Sequence, residues 1–254
     1  MRQRRVRGIE ERLLPYMDLI LQSEAGSRDS LVELSPLCDN SERILVPASD
    51  IRHSRWYQRT SPRYLLPGGF ERVYAEIGCG RGLFINAMAT EDPEGLYIGA
   101  EGCKTIIIRG LEKTRAAGLQ NTRYIDAFVN DAEEAFGEET LDGIMLNFSD
   151  PWPKDRHADR RLTSPSKADA YLRVLKPGGF VSFKTDSQPF FNYSIDTFTD
   201  AGFLVAGPAC DIANAAYSNA YIIEKAARTP TEYELKFRAQ DKPIYQLTAV
   251  KRII

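Results

Sequence analysis

Cysteine and histidine are scarce. The 254 residues hold four cysteines, Cys38, Cys79, Cys103 and Cys210, widely scattered and without a C-x-x-C pair, and only two histidines. That usage excludes a disulfide frame and leaves too few ligands for a zinc site, so no metal is expected and the thiols are expected to be reduced. No uninterrupted apolar stretch approaches the ~20 residues needed to cross a bilayer, and the N-terminus lacks the apolar core of a signal peptide. The sequence therefore reads as cytoplasmic, with no membrane partner. Net charge is nearly absent as well: −2 at neutral pH argues against binding nucleic acid with the whole surface and confines any such binding to local patches.

What is present is the composition of an ordinary globular protein, 43% hydrophobic and 27% charged, in a chain long enough for one α/β domain with a short appendage. Two basic patches stand out. One holds Arg2, Arg4, Arg5, Arg7 and Arg12 against Glu10 and Glu11; the other holds Lys154, Arg156, Arg160 and Arg161 against Asp155 and Asp159. Taken singly, either is ordinary solvated surface.

Residues 1–60 read as an irregular, partly helical, basic extension, with an apolar-periodic piece from Glu10 to Gln22 and no second core. From Val73 onward short apolar runs alternate with longer amphipathic ones, the pattern of a parallel sheet with crossover helices. Strands are expected at Arg72–Ile77, Gly95–Glu101, Thr122–Asp126, Asp142–Phe148 and Phe180–Thr185. Helices are expected at Gly82–Ala89, Lys104–Ala117, Asp131–Phe136, Pro165–Leu175 and Pro189–Ala201. "KPGG" at Lys176–Gly179 reads as a turn ending one helix before the next strand. Beyond Gly202 come a short strand, a polar loop with Asn214 and Asn219, the charged segment "RTPTEYELKFRA" and a last apolar run from Ile244 to Val250.

"YAEIGCGRGLF" sets Gly78, Gly80 and Gly82 after a strand and at the start of a helix, where a backbone without side chains passes close under a ligand. Dinucleotide oxidoreductases and S-adenosylmethionine-dependent methyltransferases share such a loop. Glu101, ending the second strand, suits ribose hydroxyls in either class. Glu76 separates them: a carboxylate there repels a pyrophosphate but welcomes a sulfonium and an ammonium. The G-x-G-x-G spacing also departs from the dinucleotide G-x-G-x-x-G.

With "AEIGCGRG", "YIGAEG", "NFSDPWPKDRHADRRL", "LKPGG", "FKTD" and "TEYE" in this order, the chain from about Glu76 onward resembles the tRNA (guanine-N7)-methyltransferase family, bacterial single-chain type. The resemblance implies an α/β fold of the class I Rossmann-like kind, a mostly parallel seven-stranded sheet with helices on both faces, occupying residues 61–254. It implies S-adenosylmethionine as cofactor, tRNA as partner and N7 of a guanosine, at variable-loop position 46, as the methylated atom. Glu76, Gly78 and Glu101 would bind the methyl donor, and Asp150 would lie in the catalytic pocket beside it. Lys154, Asp186, Thr231, Glu232, Tyr233 and Glu234 would contact the guanosine or its neighbours, and Arg156, Arg160 and Arg161 the RNA. The family's Asp that holds the adenine amino group falls, counting back without gaps, on Phe128. Asn130 would serve after a small loop shift, with Asp131 close by. Monomer and homodimer both stay open.

Guanine N7 has an in-plane lone pair and no proton, so methylating it needs alignment rather than a general base. Asp150 suits the guanine N1–H and N2–H pair, which adenine lacks, and its charge would favour the cation forming on the purine. Pro151 and Pro153 stiffen the turn that presents it. Trp152 reads either as a base-stacking ring or as a brace for the loop; His157 reads either as a phosphate contact or as plain surface; Thr231 and Glu234 also read as a helix cap. Two rival functions remain at this stage, a small-molecule methyltransferase and a non-catalytic RNA-binding subunit that keeps the fold.

Overall fold

A computed structural model describes residues 8–23, 31–34, 44–47, 64, 66–206 and 219–253. Arg2, Arg4, Arg5, Arg7, Cys38, Cys210 and Asn214 lie outside the described residues. Seven strands form one sheet: β1 (Arg72–Ile77), β2 (Gly95–Ala100), β3 (Thr122–Ile125), β4 (Leu141–Asn147), β5 (Leu175–Thr185), β6 (Leu204–Ala206) and β7 (Tyr245–Val250). Their order is β3-β2-β1-β4-β5-β7-β6, parallel except for β7, which runs antiparallel to both its neighbours.

The central strands are apolar runs because helices cover both faces. Every residue of β2 is buried. Alternate side chains go to opposite layers. Tyr74, Tyr97, Tyr124 and Phe180 face α1 (Leu83–Glu91), α2 (Lys104–Ala116) and α6 (Ala220–Arg228). Ala75, Ile98, Ile144 and Val181 face α3 (Ala132–Phe136), α4 (Pro165–Val174) and α5 (Gln188–Asp200). Each fully buried Leu or Ile contributes about 1.5–3 kcal/mol. One last helix, α7 (Glu232–Arg238), precedes β7. The tyrosine layer explains Gly82: a Cβ there would lie 2.6 Å from the Tyr124 hydroxyl.

One expectation needs correcting. "KPGG" is not a turn between a helix and a strand. Strand β5 begins at Leu175, and Leu141 pairs with Leu175 while Gly143 pairs with Phe180, so Lys176–Gly179 bulge against Asp142 alone. Gly178 takes φ 76 and its N–H donates to the Lys251 carbonyl (3.1 Å), which binds the bulge to the chain beyond β7. The apolar-periodic piece Glu10–Gln22 is partly helical, with a helix at Ile9–Leu13. Pro15, which has no N–H to give to the carbonyl four residues back, tightens Leu14–Leu19 into a 3-10 turn.

The described part of the extension lies against the domain. Leu13 and Leu19 enter the tyrosine layer, and the Leu21 N–H donates to the Tyr124 carbonyl at the β3 edge (2.8 Å). Lys104 pairs with Glu10 (2.8 Å) and Arg115 with Asp18 (2.5 Å). Leu31–Leu34 and Ile44–Pro47 pair as a separate antiparallel hairpin.

Candidate active site

The site lies at the carboxyl ends of the strands, where β1 and β4 sit side by side but their following segments leave for opposite faces. Strand β1 ends at Ile77, and Gly78, Gly80 and Gly82 follow with φ of 80, 56 and 69, a region that side chains disfavour. The N–H groups of Gly78 and Cys79 both donate to the Ala100 carbonyl (2.8 and 3.0 Å), folding the loop back onto β2. A Cβ at Gly78 or Gly80 would meet no atom within 4 Å, so the loop's open side is free for a ligand at the start of α1.

Glu101 fastens this loop. Its two carboxylate oxygens accept from the N–H of Gly80 (3.2 Å) and of Cys103 (2.8 Å). Burial raises its pKa above the ordinary carboxyl value against the lowering effect of those two bonds. Each oxygen keeps acceptor capacity beyond these bonds, and the side chain is partly exposed, which suits ribose hydroxyls.

Glu76 is 2% exposed at the end of β1. Its Oε1 accepts from the Asn147 side-chain amide (2.9 Å), whereas its Oε2 is buried with no partner. Burial pushes its acid up to about 8, opposed by the Asn147 amide, the Ile85 N–H and the Lys184 charge. Asn147 Oδ1, Ser149 Oγ and Asp126 Oδ1 are also buried and unpartnered. Buried oxygens without partners, two of them on carboxylates, fit the ammonium, amino and hydroxyl groups of S-adenosylmethionine. Glu76 and Glu101 would hold its cationic end and its ribose.

Past Asn147 the backbone is strained. Phe148 has φ 50 and Trp152 φ 41, left-handed values for bulky residues. The Phe148 N–H donates to the Lys184 carbonyl (2.8 Å), so the turn is held to the end of β5. Two residues on, Asp150 is exposed and makes no hydrogen bond or ion pair with a described residue. Trp152 is half-buried, edge-on to His157 (5.7 Å) and under the Arg160 guanidinium (5.0 Å).

Arg161 does not join the exposed basic group. It is 8% exposed, donates to the carbonyls of Pro151 (3.1 Å) and Trp152 (3.0 Å), and lies over the Tyr193 ring (4.3 Å). Its geometry is that of a strut under the Pro-Trp-Pro turn, with two of its five N–H donors spent on backbone carbonyls. Lys154, Arg156 and Arg160 remain on the surface.

The "TEYE" segment divides likewise. Thr231 is buried and caps α7, its hydroxyl accepting from the Glu234 N–H (3.0 Å). Glu234, 1% exposed, does not complete a capping box. Its Oε2 takes the fully buried Lys184 ammonium (3.0 Å) and its Oε1 the Arg238 guanidinium (2.5 Å), so its acceptors are engaged internally. Glu232 pairs with Lys113 (3.0 Å), which also holds the Arg81 carbonyl in the glycine loop (3.1 Å). Only Tyr233, 58% exposed, is presented to solvent. Asp186, just past β5, is exposed too.

Around the expected adenine position, Phe128 is 63% exposed, and its ring packs so close over Gly102 that a Cβ there would lie 2.4 Å from it. Asn130 is exposed, its carbonyl taken by Lys167 (2.8 Å), and Asp131 caps α3 through the Glu134 N–H (3.1 Å). Asp126, which the sequence reading used only as a strand end, has the buried free oxygen. Asn147, Asp126 and Lys184 are the residues that sequence reasoning missed. Each lies inside a quoted motif or at a strand end, yet the buried free oxygens of Asn147 and Asp126 and the buried pairing of Lys184 with Glu234 show only in three dimensions.

Residues 71–247 match a family described as "Putative methyltransferase". A tRNA (guanine-N(7)-)-methyltransferase of Listeria monocytogenes serotype 4b (strain F2365) is 38% identical over 72% of this chain and 81% of its own length. The tRNA (guanine-N(7)-)-methyltransferase of Bacillus licheniformis (strain ATCC 14580) is 31% identical over 84% of this chain and 92% of its own. Among solved structures, the 16S rRNA methyltransferase KamB superposes with a TM-score of 0.51 over 73% of this chain and 89% of that one, at 16% identity, a likeness of fold. Motif order, sheet topology and these two relatives agree: the chain belongs to the tRNA (guanine-N(7)-)-methyltransferase family.

Proposed function

We propose that this protein transfers a methyl group from S-adenosylmethionine to N7 of a guanosine in tRNA, at position 46 of the variable loop. The observation that carries the reading is Glu76, a buried carboxyl with one satisfied and one free oxygen at the switch point of the sheet. The bound donor supplies an electrophilic methyl group. Glu76 receives its ammonium, Glu101 its ribose hydroxyls, and the open side of Gly78 lets it lie close to the backbone. Asp126, rather than the exposed Asn130, accepts the adenine amino group.

Asp150, free of partners among the described residues, takes guanine N1–H and N2–H and selects that base over adenine. No residue has to remove a proton, because N7 carries none; the chain's task is to hold N7 in line with the donor and to exclude water. Lys154, Arg156 and Arg160 hold the phosphates of a nucleotide drawn out of the folded RNA. Asp186 and Tyr233 complete the base pocket, while Thr231, Glu232 and Glu234 position Tyr233. The methyltransferase domain is residues 61–254, preceded by a basic extension over 1–60, and the protein works in the cytoplasm. No helix among the described residues is long and apolar enough to cross a membrane.

The test is transfer of labelled methyl to bulk tRNA, followed by nucleoside mass analysis. 7-Methylguanosine at the variable loop is the expected product. Donor binding without incorporation would instead indicate a non-catalytic RNA-binding subunit. Labelled small metabolites would indicate a small-molecule methyltransferase.

A further inference from the structure

Beside Asp150 stands a group of aromatic rings that a packed core does not account for. Phe148 and Tyr233 lie near-parallel, their planes 24° apart and their centroids at 6.2 Å, and Phe237 continues the group at 5.7 Å from Phe148. Tyr233 is 58% exposed. The Lys236 ammonium lies 5.5 Å over Tyr233 and that of Lys242 5.1 Å over Phe237. One exposed ring backed by two half-buried ones and flanked by cations makes a surface of the composition that takes a base on its face and a phosphate at its rim.

The surface is also preset. One residue fixes both sides: the Lys184 carbonyl accepts the N–H of the strained Phe148, while the Lys184 ammonium donates to the Thr229 carbonyl (2.8 Å) and to Glu234 (3.0 Å) at the start of α7. Phe148 follows Asn147, which is bonded to Glu76, and precedes Asp150 by two residues, so its Cα lies within about 7.6 Å of the Asp150 Cα. The left-handed φ of Phe148 is maintained at a cost in backbone strain exactly between the donor side and the base-selecting carboxylate.

We propose that the Phe148–Tyr233 pair is the stacking wall for the target guanine, receiving the face of the purine while Asp150 takes its N1–H/N2–H edge. The proposal rests on the proposed function. The bonds from Lys184 make it a positioning residue for both rings. Lys236, a single flexible chain over Tyr233, moves aside onto the adjoining phosphate as the base arrives.

The test is single-turnover methylation of tRNA at saturating donor, with KM and maximal rate measured separately for Phe148→Leu, Phe148→Tyr, Tyr233→Leu and Tyr233→Phe. Loss of one stacking face corresponds to roughly tenfold or more. We expect both Leu variants to lose that much in the maximal rate at saturating tRNA, the ring-keeping variants to recover most of it, and donor affinity to stay at the wild-type value. A loss in KM alone would overturn the assignment to the target guanine, because a wall for a neighbouring base would not slow the bound complex. Equal losses in the Leu and ring-keeping variants, or Leu variants with wild-type rates, would overturn the wall itself. Tyr233 lies at the surface, so its Leu variant reports on stacking even if Phe148→Leu disturbs the turn. Failure of the wild-type protein to methylate tRNA would strike the proposed function instead.

Discussion

The side-chain amide of Asn147 donates to one oxygen of Glu76 and leaves the other buried and free. The ligand-free protein thus keeps a carboxyl whose acid is pushed up to about 8 by burial and which is mostly protonated at neutral pH. An arriving ammonium favours the carboxylate, so binding of S-adenosylmethionine at pH 7 releases a proton, and its Kd falls as pH rises toward 8 and then levels. Calorimetry in two buffers of different ionisation heat counts the proton; a count of zero at pH 7 sinks this account.

The same group acts on stability with the opposite trend. Its folded pKa lies above the ordinary 4.5, so the unfolded chain ionises first, and the stability contributed below pH 4.5 is lost progressively as pH rises through about 8. Glu76→Gln should flatten that decline in a series of melting curves on ligand-free protein. A decline as steep as in the wild type would assign it to other groups.

Asp150 has no partner among the described residues to lose. Asp150→Asn should therefore leave the melting temperature unchanged while slowing methyl transfer by roughly two to three powers of ten, the scale for one preorganised electrostatic partner. Near-normal single-turnover rates in the Asn variant would remove Asp150 from the chemistry.

The arginines of one short motif should separate into two behaviours. Arg156→Ala with Arg160→Ala should reduce the salt dependence of tRNA affinity by a slope of about 1.5–2, with no change in thermal stability. Arg161→Ala should leave the slope near wild type and lower the melting temperature, because the carbonyls of Pro151 and Trp152 lose their donor. Identical slopes for wild type and double variant would return Arg156 and Arg160 to plain surface.

Lys184→Met should cost up to about 3 kcal/mol, since one oxygen of the buried Glu234 carboxylate then faces an apolar side chain while the other keeps Arg238. Lys184→Met with Glu234→Leu should recover most of that stability, as measured by denaturant titration. A double variant no more stable than the single one would mean that the pair is not coupled.

The central strands were readable from sequence because helices cover both their faces, so that they carry buried apolar stretches such as Leu96–Ile98 and Ile144–Leu146. "KPGG" misled because Pro and Gly mark a reversal equally well inside and outside a strand; only the pairing of Gly143 with Phe180 places it inside. The motifs located the site, but they could not rank residues within it. Arg161 and Arg160 are neighbours with the same chemistry, one under a turn and one over an indole. Lys184 stands in "FKTD" like any strand-terminal lysine, and its burial depends on Glu234, fifty positions away.

The place of β7 has a consequence for how the chain is made. Strand β6 bonds only to β7, and β7 is synthesised after α6 and α7. A nascent chain that has just produced β6 leaves it without a neighbour, and β5 keeps an open flank, until the later segment slips between them. During that interval the exposed edge of β5 is the point most open to pairing with another copy, and chaperone contact or premature termination there should decide between a soluble product and an aggregate.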